Sequence, residues 1–541
     1  MSVSSSPAPV SSTNAASPTL AFNPWVVVGF ILIPVFVGSL DMTVVSAFLP
    51  KLITELGLPF DTGLDDASWI VTGYLLAYTI SLTFTGRLSD LVGRRAVYIL
   101  CLLTFIAGSV LVAIASGWPT ENMIALYRRL GLRPDPAYVE LQVIVIARVV
   151  AALGAGGLVP VSLALVGDMF PPHKRAKPLG IVAAFDTLGW VLGPVYGAVF
   201  MQALPWQSLF WFNVPLTFAT LAVVLYALRA VPMHKAQGRF DLLGTLLIST
   251  ALASLSIGLG ANLDLSGGAN ISSLQGLPSY ALPVLALGVL AFVLFLLVEA
   301  RLRHPLVRLG IFRERSIGAA LLANLFIGYC LFIGLVSVPV LVNLRQSDVS
   351  QLSQAALEVG LILSSLTIPM ALAAIPSGWL SERFGLRAVI MGGLSASLVG
   401  FLVMWRTWTL DIPYPFLAAQ MALIGVGIGL TFSPISTAVI NSARDDERGV
   451  AGALVLILRL VGMTLSTASL SSLMIYRVQA LAQAAQAAEA TFDAARFVSI
   501  YANSAVQVLS EMGLIGALLC GLALIPAAFV GRGESAPQNQ L

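Results

Sequence analysis

Long apolar runs separated by short polar connections make up most of the chain. A helix that crosses a bilayer needs about 20 predominantly apolar residues. Segments meeting that rule lie near 25–49, 66–88, 95–116, 140–167, 177–202, 208–229, 241–261, 280–299, 316–343, 355–380, 386–405, 414–440, 449–476 and 507–530. The pattern predicts about fourteen spanning helices, and an even number puts both termini on one side.

Charge orients the array. The chain holds 29 Lys and Arg. With the N-terminus inside, about nineteen fall in inside connections and about eight outside, the asymmetry expected of a cytoplasmic face. Arg87, Arg94, Arg95, Lys174, Arg175, Lys177, Arg301, Arg303, Arg308, Arg313 and Arg315 are among the inside set. Both termini are therefore expected to be cytoplasmic, in a multi-pass protein of the cell membrane. Only Arg148 and Arg459 remain within apolar segments, where a guanidinium is costly without a partner or a water-filled cavity.

Composition agrees. Of 541 residues, 58% are hydrophobic and 10% charged, and mean hydropathy is +0.91. Soluble domains carry about 25% charged residues, so most of this surface must face lipid. A net charge of +3 without a basic cluster speaks against nucleic acid. Cys101, Cys330 and Cys520 sit inside apolar runs, and His173, His234 and His304 in polar connections, with no metal-ligand spacing among them. No nucleophile–base constellation suggests an enzyme. Residues 1–23 are rich in Ser, Pro, Ala and Thr and lack the positive start of a secretory signal. They read as a disordered cytoplasmic tail.

The chain repeats itself. Gly86, Asp90, Gly93 and Arg95 follow one apolar segment, and Gly378, Glu382, Gly385 and Arg387 follow another at the same offsets. Gly154, Gly156 and Pro160 are echoed by Gly425, Gly427 and Pro434. Two six-helix halves fit this, 24–230 and 316–530, with an inserted pair of helices in 231–315 and a short tail at 531–541. Parallel halves with the substrate between them are a known transporter plan. Residues 477–506 are rich in Ala and Gln and contain no Gly or Pro, which favours helix. The last two spans are expected to continue outside the bilayer as an ordered projection.

Residues 24–530 resemble the major facilitator superfamily, in particular its fourteen-helix drug:proton antiporter branch. The run Gly86–Arg95 is similar to the superfamily's inside-turn signature. Its acid can pair with Arg94 or Arg95, or sit against a helix N-terminus, making a clasp that holds one closed state. Gly86, Asp90, Gly93, Arg94, Arg95, Gly378, Glu382, Arg383, Gly385 and Arg387 are its candidate gating residues. The first segment contains Leu40-Asp41-Met42-Thr43, similar to the branch's opening signature. The fourth carries Arg148, with Ala151 and Ala152 where the branch has a Gln-Gly pair. The fifth carries Gly189, Gly193, Pro194 and Gly197, similar to the antiporter signature, with Ala198 in place of a final Gly. The resemblance implies a hinge and packing element at the interface of the halves. Phe240-Asp241-Leu242-Leu243-Gly244 is similar to the start of the inserted pair.

Arg459, Trp69-Ile70-Val71-Thr72-Gly73-Tyr74 and the long 477–506 segment look most like the mycobacterial-type triacylglyceride exporters. That resemblance implies essential charges at Asp41 and Arg459, and an acid on the fifth segment, where Thr187 is in line and Asp186 beside it. Asp41, Arg148, Asp186 and Arg459 are thus the candidate proton-coupling residues, with Asp41–Arg148 as the favoured pair. The expected fold is all-α, two six-helix bundles plus two inserted helices. The expected activity is proton-coupled export of hydrophobic drugs or lipids by alternating access, with dedicated triacylglyceride export as the alternative and import of small solutes as a remote one. No cofactor beyond the proton gradient, no metal, a monomer and an external lipid-carrier partner complete the expectation.

Overall fold

A computed structural model describes residues 23–58, 60–227, 240–260, 280–302, 305–345, 352–487 and 494–531. Among them all regular structure is helical. The order is α1 (Pro24–Leu56), α2 (Phe60–Val92), α3 (Arg94–Ala113), α4 (Trp118–Arg129), α5 (Pro136–Met169), α6 (Ala176–Ala203), α7 (Gln207–Ala227), α8 (Leu242–Gly260), α9 (Ala281–Glu299), α10 (Arg315–Leu344), α11 (Leu352–Phe384), α12 (Leu386–Thr407), α13 (Tyr414–Ser442), α14 (Arg448–Ala487) and α15 (Ala494–Ala527). The predicted tails, except residues 23 and 531, lie outside the described residues, as do parts of the linkers around the inserted pair and residues 488–493.

Within the described residues, helix occupies each apolar segment read from the sequence. Within the described residues, twelve helices are long and apolar enough to cross a membrane, and Leu242–Gly258 is a shorter apolar one. The sequence reading had no counterpart of α4. Its mixed composition, with Glu121, Arg128 and Arg129, hid it from a search for apolar runs.

Local chemistry sets the boundaries. Asn23 and Asp135 cap α1 and α5 by accepting from Trp25 N and Ala137 N, each followed by Pro at the first turn. Gly93 alone joins α2 to α3, and Gly385 alone joins α11 to α12, with φ of 110° and 85°. An L side chain is strained in that region, which explains the second glycine of each repeat.

Helices α1–α3 and α5–α7 form one bundle, and α10–α15 the other. The bundles meet where α6 packs on α11 and α13, and where α14 packs on α2 and α5. Helices α8 and α9 pair with each other, and α8 also leans on α2 and α14, lying across the seam. Side chains such as Leu282, Val289 and Leu290 of α9, and Leu518 and Ile525 of α15, stand exposed. Apolar surface this extensive belongs against lipid. Helix α14 runs unbroken to Ala487 and α15 begins at Ala494, so helix occupies most of the predicted 477–506 projection.

Candidate functional site

The first charged site lies inside the N-terminal bundle. Asp41 and Arg148 are both wholly buried, each with 0% exposure. Arg148 Nη1 meets Asp41 Oδ2 at 2.5 Å, and Nη2 donates to the Asp41 carbonyl at 2.9 Å. The guanidinium lies 4.0 Å over the Tyr74 ring and 5.6 Å from that of Phe210. Asn213 Nδ2 donates to Asp41 Oδ1 at 3.3 Å, and the Tyr74 hydroxyl donates to the Gly38 carbonyl at 3.3 Å. Helices α1, α2, α5 and α7 thus converge on one ion pair. Losing one partner of such a pair leaves an uncompensated buried charge, which costs about 3–5 kcal/mol. The sequence reading paired Asp41 with Arg148 but missed Asn213 and Tyr74. A lone Asn within an apolar helix was the signal for the first.

A second site faces the other bundle. Ser39 Oγ donates to Asp186 Oδ1 at 2.5 Å. The Arg459 guanidinium stacks 3.9 Å from the Phe432 ring centroid, and its Nε is buried without a hydrogen-bond partner. Among the described residues Arg459 has no carboxylate within ion-pair distance, although Asp186 and Tyr78 lie within its electrostatic reach. Asp186, rather than Thr187, is the acid of this site. The Thr187 hydroxyl bonds its own helix at Ala183 O.

The antiporter-like glycines join the two sites. A β-carbon at Gly189 would collide with the Phe36 carbonyl and Ser39, and one at Gly193 with Thr43 and the Leu40 carbonyl. Thr43 Oγ1 adds a 2.8 Å bond to the Trp190 carbonyl. The glycine face therefore seats α6 on α1, on either side of Asp41. This corrects the expectation of an interface between the halves: Gly189 and Gly193 pack within the N-terminal bundle. Gly180, nearer the start of α6, faces α11 at Ala374 and α13 at Ser433. Gly197 is buried further along α6, and the Pro194 side chain lies outside the described residues.

The repeated turns form a clasp at one end of the seam. Gly86 touches the Gly449 backbone, and Gly378 touches that of Ala176 and Lys177. Each repeat thus meets the first turn of a helix in the other bundle. Asp90, buried, accepts from Gly449 N at 2.9 Å and Val450 N at 3.1 Å, and lies 3.3 Å from Arg94. It uses both partners the sequence allowed. A carboxylate at a helix N-terminus satisfies free amides and the helix dipole together. In the other repeat Glu382 meets Lys177 at a looser 3.6 Å, with side chains 25% and 42% exposed.

Around this clasp Asp168 binds Arg94 Nε at 2.5 Å and Arg448 Nη1 at 2.8 Å. Arg94 also donates to the Asp445 carbonyl, and Arg175 bonds Asn441. Burial lowers the Arg175 guanidinium to about 10, so it remains charged at neutral pH. Asp168, Arg448 and Asn441 escaped the sequence reading because they stand outside the repeated motif. Three residues assigned to gating make no hydrogen bond or ion pair across the seam among the described residues. Arg95 donates to Leu225 O of its own bundle, Arg383 stacks on Trp379 and Phe384, and Arg387 has no hydrogen bond or ion pair among the described residues.

Cys330 and Cys520 bring their sulfurs within 3.6 Å as free buried thiols, and Cys101 is buried apart from them. Among the described residues no group of three or more His, Cys, Asp or Glu could hold a metal ion.

Two helical bundles meet along a seam that is clasped at one end by a repeated turn. The profile of the Major Facilitator Superfamily matches residues 31–345 and 333–485. The chain belongs to the Major Facilitator Superfamily. It is a multi-pass membrane transporter and not an enzyme. A triacylglyceride transporter of Mycolicibacterium smegmatis is 30% identical over 527 residues, covering 93% of this chain and 87% of that one. One from Mycolicibacterium hassiacum is 33% identical, covering 82% and 78%. One from Mycobacterium tuberculosis is 29% identical, covering 94% and 95%. Among solved structures, the human organic anion transporter MFSD10 aligns with TM-score 0.54 at 17% identity, covering 92% of this chain and all of that one. The proton:xylose symporter XylE aligns with TM-score 0.53 at 14% identity, covering 92% and 94%. At such identities these two speak for the fold alone.

Proposed function

We propose that the chain exports triacylglycerides or closely related lipids from the cell membrane, driven by proton entry. The observation that carries the proton coupling is the wholly buried Asp41–Arg148 pair. A charge pair placed where charge is costly persists when its neutralisation does work. Protonating Asp41 would dissolve the pair, loosen α1 from α5 and change the seating of α6 on α1. The gradient drives transport only if the outward and inward states differ in proton affinity.

The lipid class rests on the relatives' printed names and on an apolar stretch of the seam. Leu456, Ile457 and Leu460 of α14 pack against a cluster of the N-terminal bundle that includes Tyr74, Ala77, Tyr78 and Leu82. Dedicated lipid export is therefore preferred to broad drug efflux. The full reading includes fourteen crossings, both termini cytoplasmic, a monomer, and an external lipid-carrier protein as recipient. The clasped turns would close the cytoplasmic side, making this an outward-facing state.

The test is lipid efflux from reconstituted vesicles with a fluorescent triacylglycerol, with and without a pH gradient. Gradient-dependent loss of the probe is expected. Transport of a cationic dye with no movement of triacylglycerol would favour the drug reading instead.

A further inference from the structure

The two charged sites share one turn of α1. Gly38 offers its carbonyl to Tyr74, Ser39 its hydroxyl to Asp186, and Asp41 its carboxylate to Arg148. Asp41 thus answers to the N-terminal bundle, while Asp186 stands toward Arg459 of the other. Counted from the first-turn residues that meet the repeated glycines, Ala176 and Gly449, Asp186 and Arg459 occupy the same place in their helices. Yet they do not touch. Arg459 rests on Phe432 with Nε lacking an acceptor, and Asp186 is held to the buried Ser39.

We propose that Ser39 is a positioning residue that holds Asp186 against α1 and away from Arg459. This rests on the proton-coupled reading above. A neutral hydroxyl is a weaker partner for a carboxylate than a guanidinium, which adds the attraction of a full opposite charge. Kept on Ser39, Asp186 takes up a proton more readily than it would beside Arg459. The restraint lies on the same turn as Asp41. Movement of α1 when the Asp41–Arg148 pair opens would free Asp186 to cross toward Arg459. One helix thereby transmits the state of the first site to the second.

The surroundings leave few competitors. Tyr78 of α2 and Arg459 of α14 face Asp186 electrostatically. From α5, Arg148 is engaged by Asp41. Helix α11 carries Glu358, Glu382 and Arg383 toward its ends, and α13 carries no Asp, Glu, Lys or Arg.

The experiment is an infrared difference titration of the protein in phosphatidylcholine–phosphatidylglycerol vesicles. The carboxyl band of Asp186 is identified by its loss in Asp186→Asn. In Ser39→Ala, which removes atoms and introduces no clash, Asp186 is free to pair with Arg459. Its band should then titrate about one pH unit lower. Adding Arg459→Gln to Ser39→Ala should abolish that downward shift. A midpoint in Ser39→Ala that stays put or rises overturns the proposal, because losing a simple donor to the carboxylate moves it up. The readout needs no transport, so it stands apart from the Asp41→Asn transport assay that tests the underlying reading.

Discussion

Asp41 and Arg148 are unequal partners. Arg148 keeps a bond to the Asp41 carbonyl and its place over Tyr74 even if the carboxylate is neutralised. Asp41→Asn should therefore yield folded protein that has lost gradient-driven transport, read as a normal size-exclusion profile and a flat response to pH. Arg148→Ala leaves a buried carboxylate with only Asn213 and Tyr74 near it. That should cost about 3–5 kcal/mol and show as loss of folded protein in mild detergent. Equally high yields for the two variants would mean that the pair carries little of the bundle's stability. Arg459 invites a similar contrast with Arg406. Both stack on a ring, Arg406 on Trp405 at 4.6 Å, but Arg406 lies in the last turn of α12, whereas Arg459 lies within α14. Arg459→Ala should abolish most transport and Arg406→Ala little of it.

Between helices, glycine sets how closely the backbones approach. Gly86 and Gly449 let α2 and α14 touch at the clasp. Gly86→Ala places a methyl against backbone that cannot turn aside, and overpacking of this kind costs about 1–3 kcal/mol. Gly392, with open space beside it, is the control. The acids of the two repeats should differ as well. Asp90→Asn weakens two bonds to the start of α14, each worth about 1.5–3 kcal/mol when charged. The amides of Gly449 and Val450 should then exchange with solvent faster. Glu382→Gln, breaking an exposed pair worth at most about 1 kcal/mol, should leave exchange at α6 unchanged. The sequence showed both repeats, because glycine and acid spacing survives in one dimension. It could not show that one acid is buried and the other wet, because that depends on how the partner helix is seated. For the same reason Asp41 and Arg148 could be paired by their depth in apolar segments, whereas Ser39 and Phe432, ordinary residues in apolar helices, gave no sign of holding a charge.

At the scale of the whole molecule, the hydrophobic pattern reveals the most, since a bilayer imposes length and polarity on every helix that crosses it. It missed α4, whose polar composition falls outside that rule, and it could not assign the seating of α8 across the seam. The longest departure from the rule is α14, 40 residues from Arg448 to Ala487, twice what a bilayer asks. Its apolar run ends near 476, and that of α15 starts near 507. Arg477 and Glu511 join the two helices at 3.1 Å. On the proposed lipid-export reading, this pair of helices continuing beyond the apolar region would offer lipid leaving the bundles a path away from the membrane. Replacing 480–500 by a short flexible linker keeps the Arg477–Glu511 pair and both spans. If the projection guides lipid, this variant should still expel a hydrophobic dye from vesicles while losing most release of triacylglycerol to an external acceptor. Full triacylglycerol release by the shortened protein would leave the extension with a structural role only.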